Sequence, residues 1–231
     1  MMKPPIWIVK DKVNFRDIIS DENKYVTAWF DIVKHLLIEP ARRLADPEKV
    51  TDRGIALLTL ELSFFEPFGS IITGESSEGA SQRTFSIGLK EFAEWAKTKG
   101  FIGDKELEIL SVIGTGSNPN VLYSFGRCGL MHSMTMKGGF VFIDAVQTGK
   151  YSITDLRYNI AYKNGNNIAE TDSILLVDPW RLLNQIEMFV EDFQSKLRQT
   201  PRSDVQYINF KKTFERSFVD PGKAYFGVQG S

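Results

Sequence analysis

The sequence predicts a mainly α-helical protein, a helical bundle with a small antiparallel β-sheet inserted before its last long helix. Three observations carry this reading. Apolar residues recur at three- and four-residue steps through most of the chain, as on the buried face of a helix. Runs rich in β-branched and aromatic residues, broken by turn residues, cluster within 138–178. Hydrophobic residues make up 42% and aromatics 12% of 231 residues, enough for one sizeable core. One domain is therefore expected over 1–231, with an N-terminal arm at 1–20, the β insertion at 138–178 and a C-terminal appendage at 201–231.

Taken in order, Pro4 and Pro5 precede Ile6 to Val9, which reads as a short strand or a docked extended segment. From about Asp21 the pattern turns helical, with Tyr25, Trp29, Ile32, Val33, Leu36 and Leu37 on one face. Pro40 is expected to kink this helix, and the residues after it are able to continue it. Residues 45–54 form a turn with start signals for the next helix. Residues 51–72 are the most apolar segment and the expected central helix, bent at Pro67. The loop at 73–82 is rich in Gly, Ser and Glu and lacks the lysine of a phosphate-binding P-loop.

Two shorter helices are expected at 84–99 and 104–113. Residues 114–120 then break the chain, and Ser117 or Asn118 caps a helix over 119–134, with Pro119 in its first turn. Strand-like runs follow, with Asn164-Gly165 or Asn166-Asn167 as a turn. Asp178-Pro179 starts the long helix at 180–198, whose apolar face carries Leu182, Leu183, Ile186, Phe189, Val190 and Phe193. After Pro201 a last helix is expected at 204–218. Trp29, Trp95 and Trp180 fall at apolar positions and read as core.

Charge narrows the function. The chain carries 28 basic and 29 acidic residues, well mixed, for a net charge of −1. That argues against a protein that holds long nucleic acid chiefly by neutralising phosphates, and leaves room for a small basic cleft. The one cysteine makes no internal disulfide, and the first twelve residues lack the apolar stretch of a signal peptide. No run approaches the ~18–20 apolar residues of a membrane span. A reducing cytoplasm is the simplest home, with no membrane association expected. Two histidines and one cysteine are too few for a structural zinc site, no dense acidic cluster suggests Mg²⁺, and no cofactor is expected.

The chemistry-bearing stretch is Arg127-Cys128-Gly129-Leu130-Met131-His132. Arginine holds its charge at any physiological pH and binds a phosphate or an oxyanion, while histidine moves a proton near neutrality. Together they suit metal-free cleavage of RNA. At i and i+5 the two side chains stand about 140° apart on an ideal helix. Gly126 and Gly129 weaken the helix there, so His132 swings toward the arginine on a frayed turn or each residue works with its counterpart in a second subunit. Cys128 lies four residues before His132, on the same face, which allows a cysteine–histidine pair, but no third orienting residue is readable. A small buried thiol is the simpler assignment. His35, four residues after Asp31, reads as half of a surface or boundary helix pair.

The run YSFGRCGLMHSMTMKGGF, leading to VDPWRLLNQIEMFVEDFQSKL, resembles the HEPN superfamily, whose signature is an arginine, four to six residues and a histidine. It is closer to the bacterial branch with an RCGLLH-like core. The resemblance implies a helical bundle, often dimerised so that two motifs meet. It also implies a metal-independent endoribonuclease acting on phage or host RNA in toxin–antitoxin or antiviral systems, with an antitoxin or other protein as a possible partner. Arg127 would bind the scissile phosphate and His132 would assist attack by the 2′-hydroxyl. Glu61 and Glu66 sit among apolar residues, where an unpaired charge is costly. One of them is expected to pair with Arg127, and Glu66 is preferred because related sequences often carry an acidic or polar residue in that place. The second reading is a non-catalytic HEPN-like module that binds RNA, a nucleotide or a protein. It draws on the near-neutral charge and on Cys128 standing where a polar residue commonly follows the arginine. A third is a helical interaction protein in which the motif is core.

Overall fold

The computed structural model describes Ile18 and residues 20–45, 53–113, 120, 122–123, 140–142, 154–160, 163–164, 167–168 and 172–221. A 3-10 turn, Glu22–Lys24, opens the first helix, with Asp21 accepting from the Asn23 amide. Helix α1 (Tyr25–Val33) runs through a π-helical stretch, Lys34–Ile38, into α2 (Glu39–Ala45). The helix continues past Pro40, as the residues after it allow, by way of this widened turn. Proline lacks an amide hydrogen and its ring crowds the carbonyl four residues back. Here the Glu39 amide reaches back five residues to the Lys34 carbonyl, which opens the turn just before the ring.

Helix α3 (Arg53–Thr73) is the centre of the bundle and keeps Pro67 within it. Leu57, Leu58, Leu62 and Phe65 on it are fully buried. By length and composition Gly54–Thr73 is apolar enough to cross a membrane, contrary to the expectation that no segment approaches that length. More than half of that segment is buried against the rest of the chain. Helix α4 (Ser81–Thr98) packs along α3, and α5 (Asp104–Leu110) follows, its start held by the Glu106 carboxylate accepting from the Gly103 amide at 3.0 Å.

The α3–α4 crossing is a contact of backbones. A Cβ added at Gly88 would stand 2.1 Å from the Phe65 carbonyl oxygen, and one at Gly69 would stand 1.7 Å from that of Thr84. No side chain fits between the helices at this point, which explains glycine in two helix interiors where its propensity is poor.

Helix α6 (Pro179–Gln199) begins as expected. Asp178 accepts from the Trp180 and Arg181 amides, and Pro179 takes the first-turn place where no amide hydrogen is needed. Helix α7 (Val205–Phe214), capped by Asp204, passes into a second π-helical stretch, Glu215–Val219. The core joins five helices through aromatic rings. Phe68 lies 4.9 Å from both Phe189 and Phe193, and Trp29 meets Phe193 and Phe210 edge-on at 5.6 and 6.2 Å. Phe92 of α4 meets Phe189 at 5.5 Å. Through Phe210 and Phe214 the described part of 201–231 is a wall of this core.

Between 140 and 177 the structure describes backbone pairing alone. Strand β1 (Phe140–Phe142) runs parallel to β5 (Asp172–Val177), β2 (Thr154–Ile160) antiparallel to β5, and β3 (Lys163–Asn164) antiparallel to β4 (Asn167–Ile168). The pairing mixes directions where an antiparallel insertion was expected.

Candidate functional site

Arg127, Cys128 and His132 lie outside the described residues. What leads to them is described. Asn120 is buried, and its side-chain amide donates to the Val112 carbonyl at 2.9 Å and the Leu110 carbonyl at 3.4 Å. Its oxygen accepts from the Leu122 and Tyr123 amides at 3.0 and 3.3 Å. One side chain thus closes the end of α5 and holds the first amides of the segment that carries the motif. Ser117 and Asn118 were the expected caps and fall outside the described residues; Asn120, beyond Pro119, has the capping bonds. Asn120→Ala would leave the groups it bonds buried without partners. It is expected to lower stability by about 2–3 kcal/mol, read as the urea midpoint by circular dichroism.

Tyr123, four residues before Arg127, anchors the same segment on α4. Its hydroxyl lies 3.3 Å from Ser81 Oγ and its ring 5.3 Å from Phe85. Glu66 is half-buried on α3, with one carboxylate oxygen shielded from solvent. Glu61 is the more buried acid, fully inside, five residues and so about 140° away around the helix. The two carboxylates therefore serve different faces of α3.

Glu61 faces the start of α6. Burial pushes its carboxyl well above the ordinary range, and the negative charge of Asp178 adds to the shift, while the Leu183 backbone acts the other way. Neither Glu61 oxygen makes a well-formed hydrogen bond among the described residues. The Leu183 influence is thus a weak approach rather than a formed bond. Asp178, also buried, is held differently: beyond its two capping bonds it pairs with Arg181 Nε at 3.2 Å. Glu61 and Asp178 thus share one buried corner, with the cation of Arg181 on the Asp178 side. Sequence reasoning singled out Glu61 with Glu66 but not its neighbour Asp178, whose visible signal was only that of a helix cap.

His35 does not pair with the Asp31 carboxylate; its Nδ1 lies 2.8 Å from the Asp31 backbone oxygen. Among the described residues no group of three His, Cys, Asp or Glu side chains is arranged to hold a metal. Comparisons with protein-family models, curated proteins and solved structures return no significant match for this chain.

Proposed function

We propose that this chain is a HEPN-like, metal-independent endoribonuclease that acts as a homodimer in the cytoplasm. The observation that carries the reading is the run from Arg127 to His132, an arginine and a histidine within six residues. The helical bundle supports it, as does the double anchoring of the lead-in residues Asn120 and Tyr123, which ties the start of the motif segment to α4 and α5. In this reading residues 138–178 form the small sheet inserted before α6, beside the motif. Arg127 binds the scissile phosphate and stabilises its developing charge. His132 takes the 2′-hydroxyl proton as that oxygen attacks phosphorus. The P–O5′ bond breaks, the 5′-oxygen takes up a proton, and a 2′,3′-cyclic phosphate is left. Glu66 positions Arg127. An antitoxin or other partner would cover this site in a toxin–antitoxin or phage-defence setting.

The test is incubation of wild type, Arg127→Ala and His132→Ala with a mixed RNA pool in EDTA, followed by analysis of the new 3′ ends. Wild type is expected to leave cyclic phosphates. Each variant should fold normally and lose at least ~100-fold in rate, the lower range for a proton-transfer group. Cleavage that requires Mg²⁺, or cleavage that survives both substitutions, overturns the proposal. No cleavage by a folded wild-type dimer overturns the nuclease and favours the RNA-, nucleotide- or protein-binding module.

A further inference from the structure

A cavity of about 360 Å³ opens between α1, α3 and α7, walled by Trp29, Phe64, Ile71 and Phe214. We propose that it binds a small monocarboxylic acid with a single apolar chain, whose carboxylate sits on Arg216. This does not rest on the nuclease reading.

Two widened helical turns and a helix proline meet at this cavity. The π-helical stretch Lys34–Ile38 contributes Leu36 and Leu37, the stretch Glu215–Val219 contributes Arg216 and Ser217, and α3 contributes Pro67. Widened turns of this kind recur at functional sites, because they rotate side chains away from the packing a regular helix would give. Two such turns and a helix proline face one space between the three helices.

The one fixed cation among the described residues at the cavity points to the ligand. Ser70 also lines the space, but its Oγ is shielded inside the wall. Arg216 donates to the Gly74 and Glu75 carbonyls at 3.3 and 2.7 Å, which fixes the guanidinium at the end of α3. It makes no ion pair among the described residues, and two bonds use only part of its five donors. A fixed, planar cation matches a carboxylate better than a neutral head group. The apolar walls accept a hydrocarbon body. The volume is at the small end of the ~300–1,000 Å³ range of ligand pockets, which favours one short chain over a two-chain lipid.

The test is calorimetric titration of the full chain with decanoate and with decanol, on wild type, Arg216→Gln, Arg216→Lys and Ser63→Trp. Ser63 lines the cavity from an exposed position on α3, so tryptophan there plugs the space without disturbing Arg216. Wild type is expected to bind one decanoate saturably. Arg216→Gln should weaken decanoate at least about tenfold and leave decanol nearly unchanged, with Arg216→Lys in between. Ser63→Trp should remove both. Absence of saturable binding to folded wild type overturns the proposal. So does uptake of several equivalents that Ser63→Trp leaves intact, which is adsorption rather than a site. Equal weakening of decanoate and decanol by Arg216→Gln refutes the carboxylate contact.

Discussion

Gly88→Ala is expected to lower the urea midpoint sharply, with a loss of about 3 kcal/mol or more, at or beyond the upper end of the usual overpacking cost. The new methyl would stand 2.1 Å from the Phe65 carbonyl oxygen and 2.8 Å from the Gly69 nitrogen. Both are backbone atoms of α3, so neither can rotate away. Relief requires α3 and α4 to separate, and that would open the contacts of Phe65 with Phe85 and Phe92 at 5.7 and 5.3 Å. For a domain stable by ~5–15 kcal/mol this is a large share of the total. Gly79→Ala is the control. Gly79 has a φ of +71° and open space around it, so alanine there meets backbone strain but no clash. It should cost only about 1 kcal/mol. Equal, small losses at both positions would mean that the two helices do not approach this closely.

Long-period features of the fold were readable in the sequence and tertiary choices were not. Asp178 followed by proline and a regular apolar face specified α6 almost to the residue, because cap, first-turn proline and periodicity agreed. Pro40 left two outcomes open, a kink or a continuing helix, and a π turn just before the ring lets the chain continue. Asn120 carried no separate signal in the sequence. Three polar residues stand near Pro119, and what marks Asn120 is its contact with the Val112 and Leu110 carbonyls, eight and ten positions back. Glu61 was legible in part. It lies four residues after Leu57 and four before Phe65, both fully buried, whereas Glu66 falls on another face. Position on the helix separated the two acids more reliably than the apolar character of their neighbours. The cavity beside Ser70 and Arg216 left no sequence signal, because it depends on where three distant helices fail to close. The Arg127–His132 motif stands the other way round, plain in the sequence and outside the described residues.

Glu61→Leu is expected to stabilise the protein at pH 8 and to lose most of that advantage as the pH falls toward 4. Burial and the Asp178 charge raise the Glu61 carboxyl above its ordinary value of 4.5, so the folded protein holds a proton there that the unfolded chain releases. Between those two values the folded state binds more protons, and stability falls as pH rises. Below 4.5 both states are protonated and the penalty vanishes. Leucine has no proton to hold, so its gain appears above 4.5 and grows until the folded carboxyl titrates. Replacing a buried charged network by apolar groups of similar volume has stabilised proteins by about 1–4 kcal/mol, and Leu57 and Leu183 already supply an apolar lining nearby. Glu61→Gln should flatten the pH dependence equally with a smaller gain, since the amide would still be buried without well-formed bonds. Urea midpoints of the three proteins at pH 4, 6 and 8 decide it. A loss of stability in Glu61→Leu at pH 8 would mean that Glu61 is ionised and paired with a cation. In that case Glu61 rather than Glu66 would be the carboxylate to match with Arg127, in a charge-swap pair assayed for RNA cleavage.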